Sequence, residues 1–268
     1  MKAMDRPAKK PADKPARGVS PSNRSLERGI LVLRAFRPGS DLLGNGELAE
    51  RTGLSRATVS RLAQTLVGTG MLEHDAARRA YRLAAPVLSL AHAMRSCSVM
   101  LEVAAPLMRT VAAKLHVNVG LAVPDQEDMV YLESVRYNSK VSLRTVVVGQ
   151  RIPMELTSLG RAYLAVADDA QRRALLDRFK ARQRSDWQRI EREIAQAAES
   201  VRRHGFCTAA WQPEVVALAT PIVIANRPVH VLNMSVSTQA GVAAVTDELS
   251  KPLLDLRAAI EHALSVLA

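Results

Sequence analysis

The sequence predicts an α+β protein in two parts, and three observations lead there. A helix–glycine–helix spacing followed by a charged hairpin fills residues 45–83. After Val117, strand and helix patterns come in clusters rather than in strict alternation. The excess of positive charge sits mostly on the first third of the chain. The first pattern fits a small winged helix-turn-helix unit. The second favours a helix-covered, largely antiparallel sheet.

The charge can be counted. The chain has 268 residues and a formal net charge of +11. Residues 1–95 hold 17 Lys+Arg against 8 Asp+Glu, and the remaining 173 are nearly balanced at 20 against 18. Such an asymmetry suggests a polyanionic partner, although a basic tail that merely aids solubility gives the same count. Aromatic residues make up only 3%, so the cores must rest on Leu, Val, Ile, Ala and Met. No apolar run reaches the roughly 18–20 residues that span a bilayer, and residues 1–24 lack the apolar stretch of a secretory signal. Cys97 and Cys207 are expected as separate reduced thiols of a cytosolic protein.

Residues 1–24, rich in Lys, Pro, Ala and Ser, are expected to form a disordered basic arm. A helix should start at Ser25, with Leu26, Ile30 and Leu33 on one face, and end at Arg37-Pro38-Gly39. The segment NGELAERTGLSRATVSRLAQ, residues 45–64, has helix-turn-helix spacing. Ala49 permits close helix approach, and Gly53 can take the positive φ of the turn. Ser55 suits the N-cap of the second helix, and Val59, Leu62 and Leu66 suit its inner face. Arg56, Ala57, Ser60, Arg61 and Gln64 then face outward. Arg and Gln side chains match guanine and adenine edges in a major groove. Ser55, Thr58 and Ser60 are candidate phosphate or base contacts. The hairpin at 71–83 would carry Arg78 and Arg79 at its tip, within reach of phosphate or the minor groove.

From Ala84 to Leu115 the chain reads as two helices started by Pro86 and Pro106, the first of them a linker. Strands are expected at 118–123, 129–135, 141–148, 206–210, 215–224 and 229–237, and helices at 157–167, 169–180, 187–204 and 245–267. Trp187, Ile190, Ile194, Ala197 and Val201 give the third of these helices a clear amphipathic stripe.

Two features point to a small-molecule site. Along 229–237, Asn233, Ser235 and Ser237 share a face, and polar groups in such a row require water, protein or ligand partners. At Thr157-Ser158-Leu159-Gly160, free N–H groups at a helix start suit a carboxylate, although an ordinary capped helix has the same sequence. Arg144, on the strand expected at 141–148, is a further candidate for a carboxylate partner or a solvent-facing arginine.

These residues resemble the IclR family of bacterial regulators. The similar segments are SLERGILVLRAF (25–36), ELAERTGLSRATVSRLAQTLVGTGMLEHD (47–75), YRLAAPVLSLA (81–91), GQRIPMELTSLGRAYLA (149–165), PEVVALATPIV (213–223) and VHVLNMSVS (229–237). The resemblance implies a GAF-like effector domain, a homodimer or tetramer, a pseudo-palindromic double-stranded DNA operator and a small organic acid effector. TSLGR and LNMSVS look most like the branch that senses aromatic acids such as protocatechuate or hydroxybenzoate. It carries effector contacts onto the backbone N–H groups of Ser158 and Leu159 and onto Thr208, Leu218, Ser235 and Ser237. Some members have an acidic residue at the position of Thr208 and a cysteine at that of Leu218. A less charged, more apolar site fits an aromatic ligand better than glyoxylate or pyruvate.

The expected organisation is a basic arm over 1–24, a winged helix-turn-helix over 25–84, a linker helix over 85–102 and an effector domain over 103–268. A small enzyme and a protein-binding adaptor are the alternatives. The six histidines are scattered, and no metal-ligand spacing, phosphate loop or nucleophile elbow occurs, so no catalytic residue, metal or cofactor is assigned.

Overall fold

The computed structural model describes residues 23–137, 147–212, 214–239 and 241–267. The chain divides into two compact units, one made of residues up to 35 together with 43–82, the other of 36–42 together with everything from Leu83 on.

In the first unit, α1 (Arg24–Arg34), α2 (Asn45–Thr52) and α3 (Arg56–Gly68) surround a core of Val32, Ala35, Leu43, Leu48, Val59, Ala63 and Leu72. Asn23, and not Ser25, caps α1, because its side chain accepts the Ser25 and Leu26 N–H groups. The hairpin strands are β2 (Leu72–Asp75) and β3 (Ala80–Leu83). A two-residue strand that sequence patterning overlooks, β1 (Leu43–Gly44), pairs antiparallel with β3.

In the second unit, α4 (Pro86–Ser96) and α5 (Val99–Leu115) follow one another. The second helix does not start at Pro106 as expected. Ser98 caps it by accepting the Leu101 N–H, and Pro106 lies inside it. The segment 85–102 therefore holds α4 and the first turn of α5, whose Met100 and Leu101 already belong to the core.

The sheet is antiparallel at every pairing in the order β6-β5-β4-β9-β8-β7. The strands are β4 (Asn118–Asp125), β5 (Asp128–Val135), β6 (Arg151–Pro153), β7 (Cys207–Gln212), β8 (Val215–Ile222) and β9 (His230–Ser237). Three residues are enough for β6, which sequence periodicity could not resolve. Most of the strand expected at 141–148 lies outside the described residues.

Helices cover both faces. α6 (Ser158–Val166), α7 (Asp169–Arg182) and α8 (Trp187–His204) close one side, burying Leu159, Tyr163, Phe179 and the expected Trp187–Val201 stripe against Ala122, Met129, Cys207, Ala219 and Val231. α5 and α9 (Val242–Val266) close the other over Val119, Leu121, Leu218, Leu232 and Met234. Burial pushes the Cys207 thiol up to about 12. Among the described residues, no single helix is long and apolar enough to cross a membrane.

Candidate nucleic-acid interface and sensing site

In the first unit, the turn between α2 and α3 is made by Gly53, at φ +69. Few side chains tolerate that region. Arg51 donates from Nη1 to the Ala35 carbonyl at 3.0 Å, which ties α2 to the end of α1. α3 buries Val59 and Ala63, with Leu62 and Leu66 half-buried beside them. Its exposed side carries Arg56, Ala57, Arg61 and Gln64, with Ser60 and Thr58 half-buried at the margin. The Arg56 guanidinium lies over Gly46, where a Cβ would be 3.6 Å from Nη2.

Ser55 and Thr58 are spent largely on one another. Ser55 Oγ accepts the Thr58 N–H at 3.3 Å, and the two hydroxyls are 2.9 Å apart. They fix the start of the helix and hold its amides in place.

Arg78 and Arg79 stand exposed at the hairpin tip. The Arg78 N–H donates to Asp75 Oδ1 at 2.9 Å, and this bond holds the Asp75 carboxyl below its ordinary range. Arg79 has φ +50, which turns the chain back into β3. Arg82 spans Glu73 and Asp75 at 3.5 and 3.6 Å, so the stem consumes its charges while the tip keeps two guanidiniums in water.

In the second unit, register decides which strand residues face α6. Ala209, Ala217, Ser235 and Asn118 stand in one row across the sheet, and Cys207, Ala219, Asn233, Gly120 and Ser134 in the next. Both rows face α6 and α8, since Cys207 and Ala219 pack into that core. Asn233, Ser235 and Ser237 follow the alternation along β9. Asn233 is buried, Ser235 half-buried and Ser237 exposed at the strand end.

Thr208 and Leu218 do not join them. They pair with each other and then with Met234 and Val119, in the row between the other two. Leu218 is fully buried in the core under α5 and α9. Successive strand residues point to opposite faces, so the positions facing α6 are Ala209 and Ala217. Their methyl groups leave more room than the expected Thr and Leu. Thr208 and Ala209 nevertheless both line a cavity of about 440 Å³ at the β7 edge, beside Arg161 of α6 and Arg189 and Glu193 of α8. Burial raises the Glu193 carboxyl, but hydrogen bonds from Arg189 and Arg161 outweigh it and hold the group below its usual value.

Above the rows sits the start of α6. Thr157 Oγ1 accepts the Gly160 N–H at 3.3 Å and donates to the Pro153 carbonyl at 2.8 Å. Ser158 and Leu159, in the first turn, are 2% and 1% exposed. The Cys207 Sγ donates to the Ser158 carbonyl at 3.5 Å, which places this turn over the β7 end of the Asn233 row. The loop before α6 is anchored by Glu155, whose fully buried carboxylate takes two bonds from Arg182 Nη2 and one from Gln183, all at 2.9 Å. Arg144 lies outside the described residues.

Sequence reasoning missed two residues of this region, Tyr131 and Gly120. The Tyr131 phenol is buried, pushed well above its ordinary pKa by desolvation and hydrogen-bonded by Asn233. Gly120 lies beneath both: a Cβ there would be 2.5 Å from Asn233 Oδ1 and 2.5 Å from Tyr131 Cε1. A glycine inside a strand is the signal that was available for such close approach.

The first unit defines a winged helix-turn-helix protein, with a second unit of helix-covered antiparallel sheet. The profile of the IclR helix-turn-helix domain matches residues 25–76, and that of the bacterial transcriptional regulator IclR C-terminal domain matches residues 92–262. The chain belongs to the IclR family of transcriptional regulators. It is 30% identical to the Pca regulon regulatory protein of Pseudomonas putida over 81% of this chain and 75% of that one. It is 25% identical to the p-hydroxybenzoate hydroxylase transcriptional activator of Acinetobacter baylyi, over 75% and 76%. An IclR family transcriptional regulator from Brucella abortus superposes with a TM-score of 0.82 at 32% identity, covering 90% of this chain and 92% of that one.

Proposed function

We propose that this regulator binds a pseudo-palindromic double-stranded DNA operator through α3 and the wing, and that a small aromatic acid alters that binding. The observation carrying the first part is the division of α3: Val59 and Ala63 face the core while Arg56, Ala57, Arg61 and Gln64 face solvent. A helix held in this way presents base-reading side chains along one edge. Arg78 and Arg79 supply phosphate contacts. Ser55 and Thr58 act through the helix start, and Ser60 through its hydroxyl at the margin.

The acid sits between the first turn of α6 and the polar row of β9. The N–H groups of Ser158 and Leu159 take the carboxylate, and Ser235 and Ser237 bond to it from the strand. Ala209 and Ala217 leave space for a ring. Regulation of aromatic metabolism is supported by the name of the Acinetobacter relative. Two recognition helices come from a homodimer, or from pairs within a tetramer. The apolar side chains left exposed on α1 (Leu26, Ile30) and on α4 (Leu88, Leu90, Met94) support such association. In this reading residues 25–84 bind DNA, 85–102 link and 103–268 sense, and the protein works in the bacterial cytoplasm. Effector binding shifts the population between half-site spacings.

Fluorescence anisotropy on fragments from the protein's own genomic neighbourhood, over a salt series, tests this. Arg61→Ala should cost about 1–3 kcal/mol on the operator. Ser235→Ala should blunt the response to acids while leaving acid-free DNA binding intact. Wild-type protein that selects no fragment, with or without acids, would refute the regulator reading and favour an adaptor.

A further inference from the structure

We infer that Arg95 is the positioning residue that fixes the direction of α4, and that it thereby sets the half-site spacing this regulator accepts on DNA. This rests on the reading above that two copies of α3 grip two operator half-sites. Packing does not set the direction of α4, since none of its 11 residues is buried. Val87 and Arg95 are half-buried and the rest are exposed. The helix meets α5 at 82° across Cys97 and Ser98, while α5 is seated at once by Met100 and Leu101 in the core. A break of that kind absorbs a change of backbone angle readily, so a helix beyond it swings unless a side chain spans the gap.

Arg95 spans it. From the last turn of α4 its guanidinium donates through Nη1 to the Leu132 carbonyl and through Nη2 to Glu133 Oε2, the latter at 2.9 Å. β5 is shaped to receive both bonds. Its register against β4 steps from Leu121↔Glu133 to Ala122↔Tyr131, so Leu132 is a bulge residue with no partner on β4. Glu133 Oε1 accepts the Ser134 N–H at 3.0 Å, which holds the carboxylate still while Oε2 takes the arginine. A planar fork on a carbonyl and a carboxylate fixes an angle as well as a distance, and the point charge of a lysine does not. Leverage makes that angle matter. Eleven residues make α4 about 16 Å long, so a swing of about 20° at the break moves its start by about 6 Å. Duplex DNA rises about 3.4 Å per base pair, so such a swing covers the displacement made by one added pair. Ala84 and Ala85 alone separate Leu83 of β3 from Pro86 of α4, so little slack in the chain can absorb the movement.

The test is fluorescence anisotropy of the full chain on three kinds of DNA: the fragment it selects from its genomic neighbourhood, a single half-site, and the same fragment with one base pair added or removed at the centre. Wild-type protein, Arg95→Met, Arg95→Lys and Glu133→Ala are compared, with Tm reporting folding. Joined half-sites strengthen binding only where geometry lets both engage, so wild-type protein should lose at least about tenfold in affinity at an altered spacing. Arg95→Met should cut that penalty to about threefold or less and leave half-site affinity unchanged. Arg95→Lys keeps the charge without the fork and should behave like Arg95→Met. Glu133→Ala removes the other partner and should lower the penalty in the same sense. A residue that merely supports the fold would instead lower Tm and weaken every fragment alike. Wild-type protein indifferent to spacing, a penalty unchanged in the variants, or a loss shared equally by half-site and full site overturns the inference and leaves DNA binding standing. Wild-type protein that selects no fragment overturns the DNA-binding reading, and this inference with it.

Discussion

Gly160→Ala isolates what the start of α6 needs. Every residue of that helix from Ser158 to Leu164 is buried, so it has no free side onto which it can move. A Cβ at Gly160 would lie 2.1 Å from Met154 Cα, 2.2 Å from its carbonyl oxygen and 2.5 Å from its carbonyl carbon. All three are backbone atoms, so no rotamer change relieves the clash. Ordinary contact requires a retreat of roughly 1 Å or more. Met154 cannot provide it cheaply, because the next residue is Glu155, fixed by Arg182 and Gln183. The cost should reach the upper end of overpacking, about 3 kcal/mol. In a unit of this size that lowers Tm by about 6–12 °C. Gly29→Ala makes the same chemical change in α1, where nothing lies within 4 Å, and should stabilise by about 0.5–1 kcal/mol. Thermal unfolding followed by circular dichroism compares the two. A Gly160→Ala protein within about 2 °C of wild type would refute the argument that backbone contact, and not chain flexibility, selects glycine there.

Arg182→Met leaves the Glu155 carboxylate buried with Gln183 as its remaining side-chain donor, and urea denaturation should show a loss of about 3 kcal/mol. That is the low end for a broken buried pair, because Arg182 itself is 39% exposed; no measurable loss would make the pair ornamental. Burial depresses the His230 pKa, so the folded state resists a proton that the unfolded chain accepts near 6.5. Stability should therefore be full above pH 6.5 and decline as pH falls towards the folded value, and His230→Phe should flatten that decline in denaturation curves taken from pH 7.5 to 5. Arg78→Ala with Arg79→Ala should reduce the slope of log affinity against log salt by about 2 while sparing the choice of fragment. An unchanged slope would remove the wing from the phosphate contacts.

The DNA-binding unit was legible because its signals are local. Gly53, Ser55 and the Val59 face lie within a few residues of one another, and each does in the structure what its chemistry suggests. The candidate site of the second unit was legible only along β9, where Asn233, Ser235 and Ser237 share a face. β8 is apolar but for Thr220, and seven of its eight residues are buried, so its own sequence does not say which side Leu218 takes. Pairing with β9 settles it, and pairing is not a local property. The same reason displaced Thr208 on β7. β1 and β6, of two and three residues, are too short for a period of two to register. Pro106 misled because a proline inside a long helix reads like one that begins it. Tyr131 and Asn233 are 102 residues apart, and only the sheet brings them together.

The two cysteines carry a practical consequence. With its thiol held at about 12 and buried, Cys207 stays un-ionised at cellular pH and out of reach of peroxide, maleimide or a second thiol. Cys97 is exposed at the C-cap of α4. Untreated wild-type protein therefore offers one labelling position, at the junction of two helices, where a dye can report on the chain without any residue having been engineered.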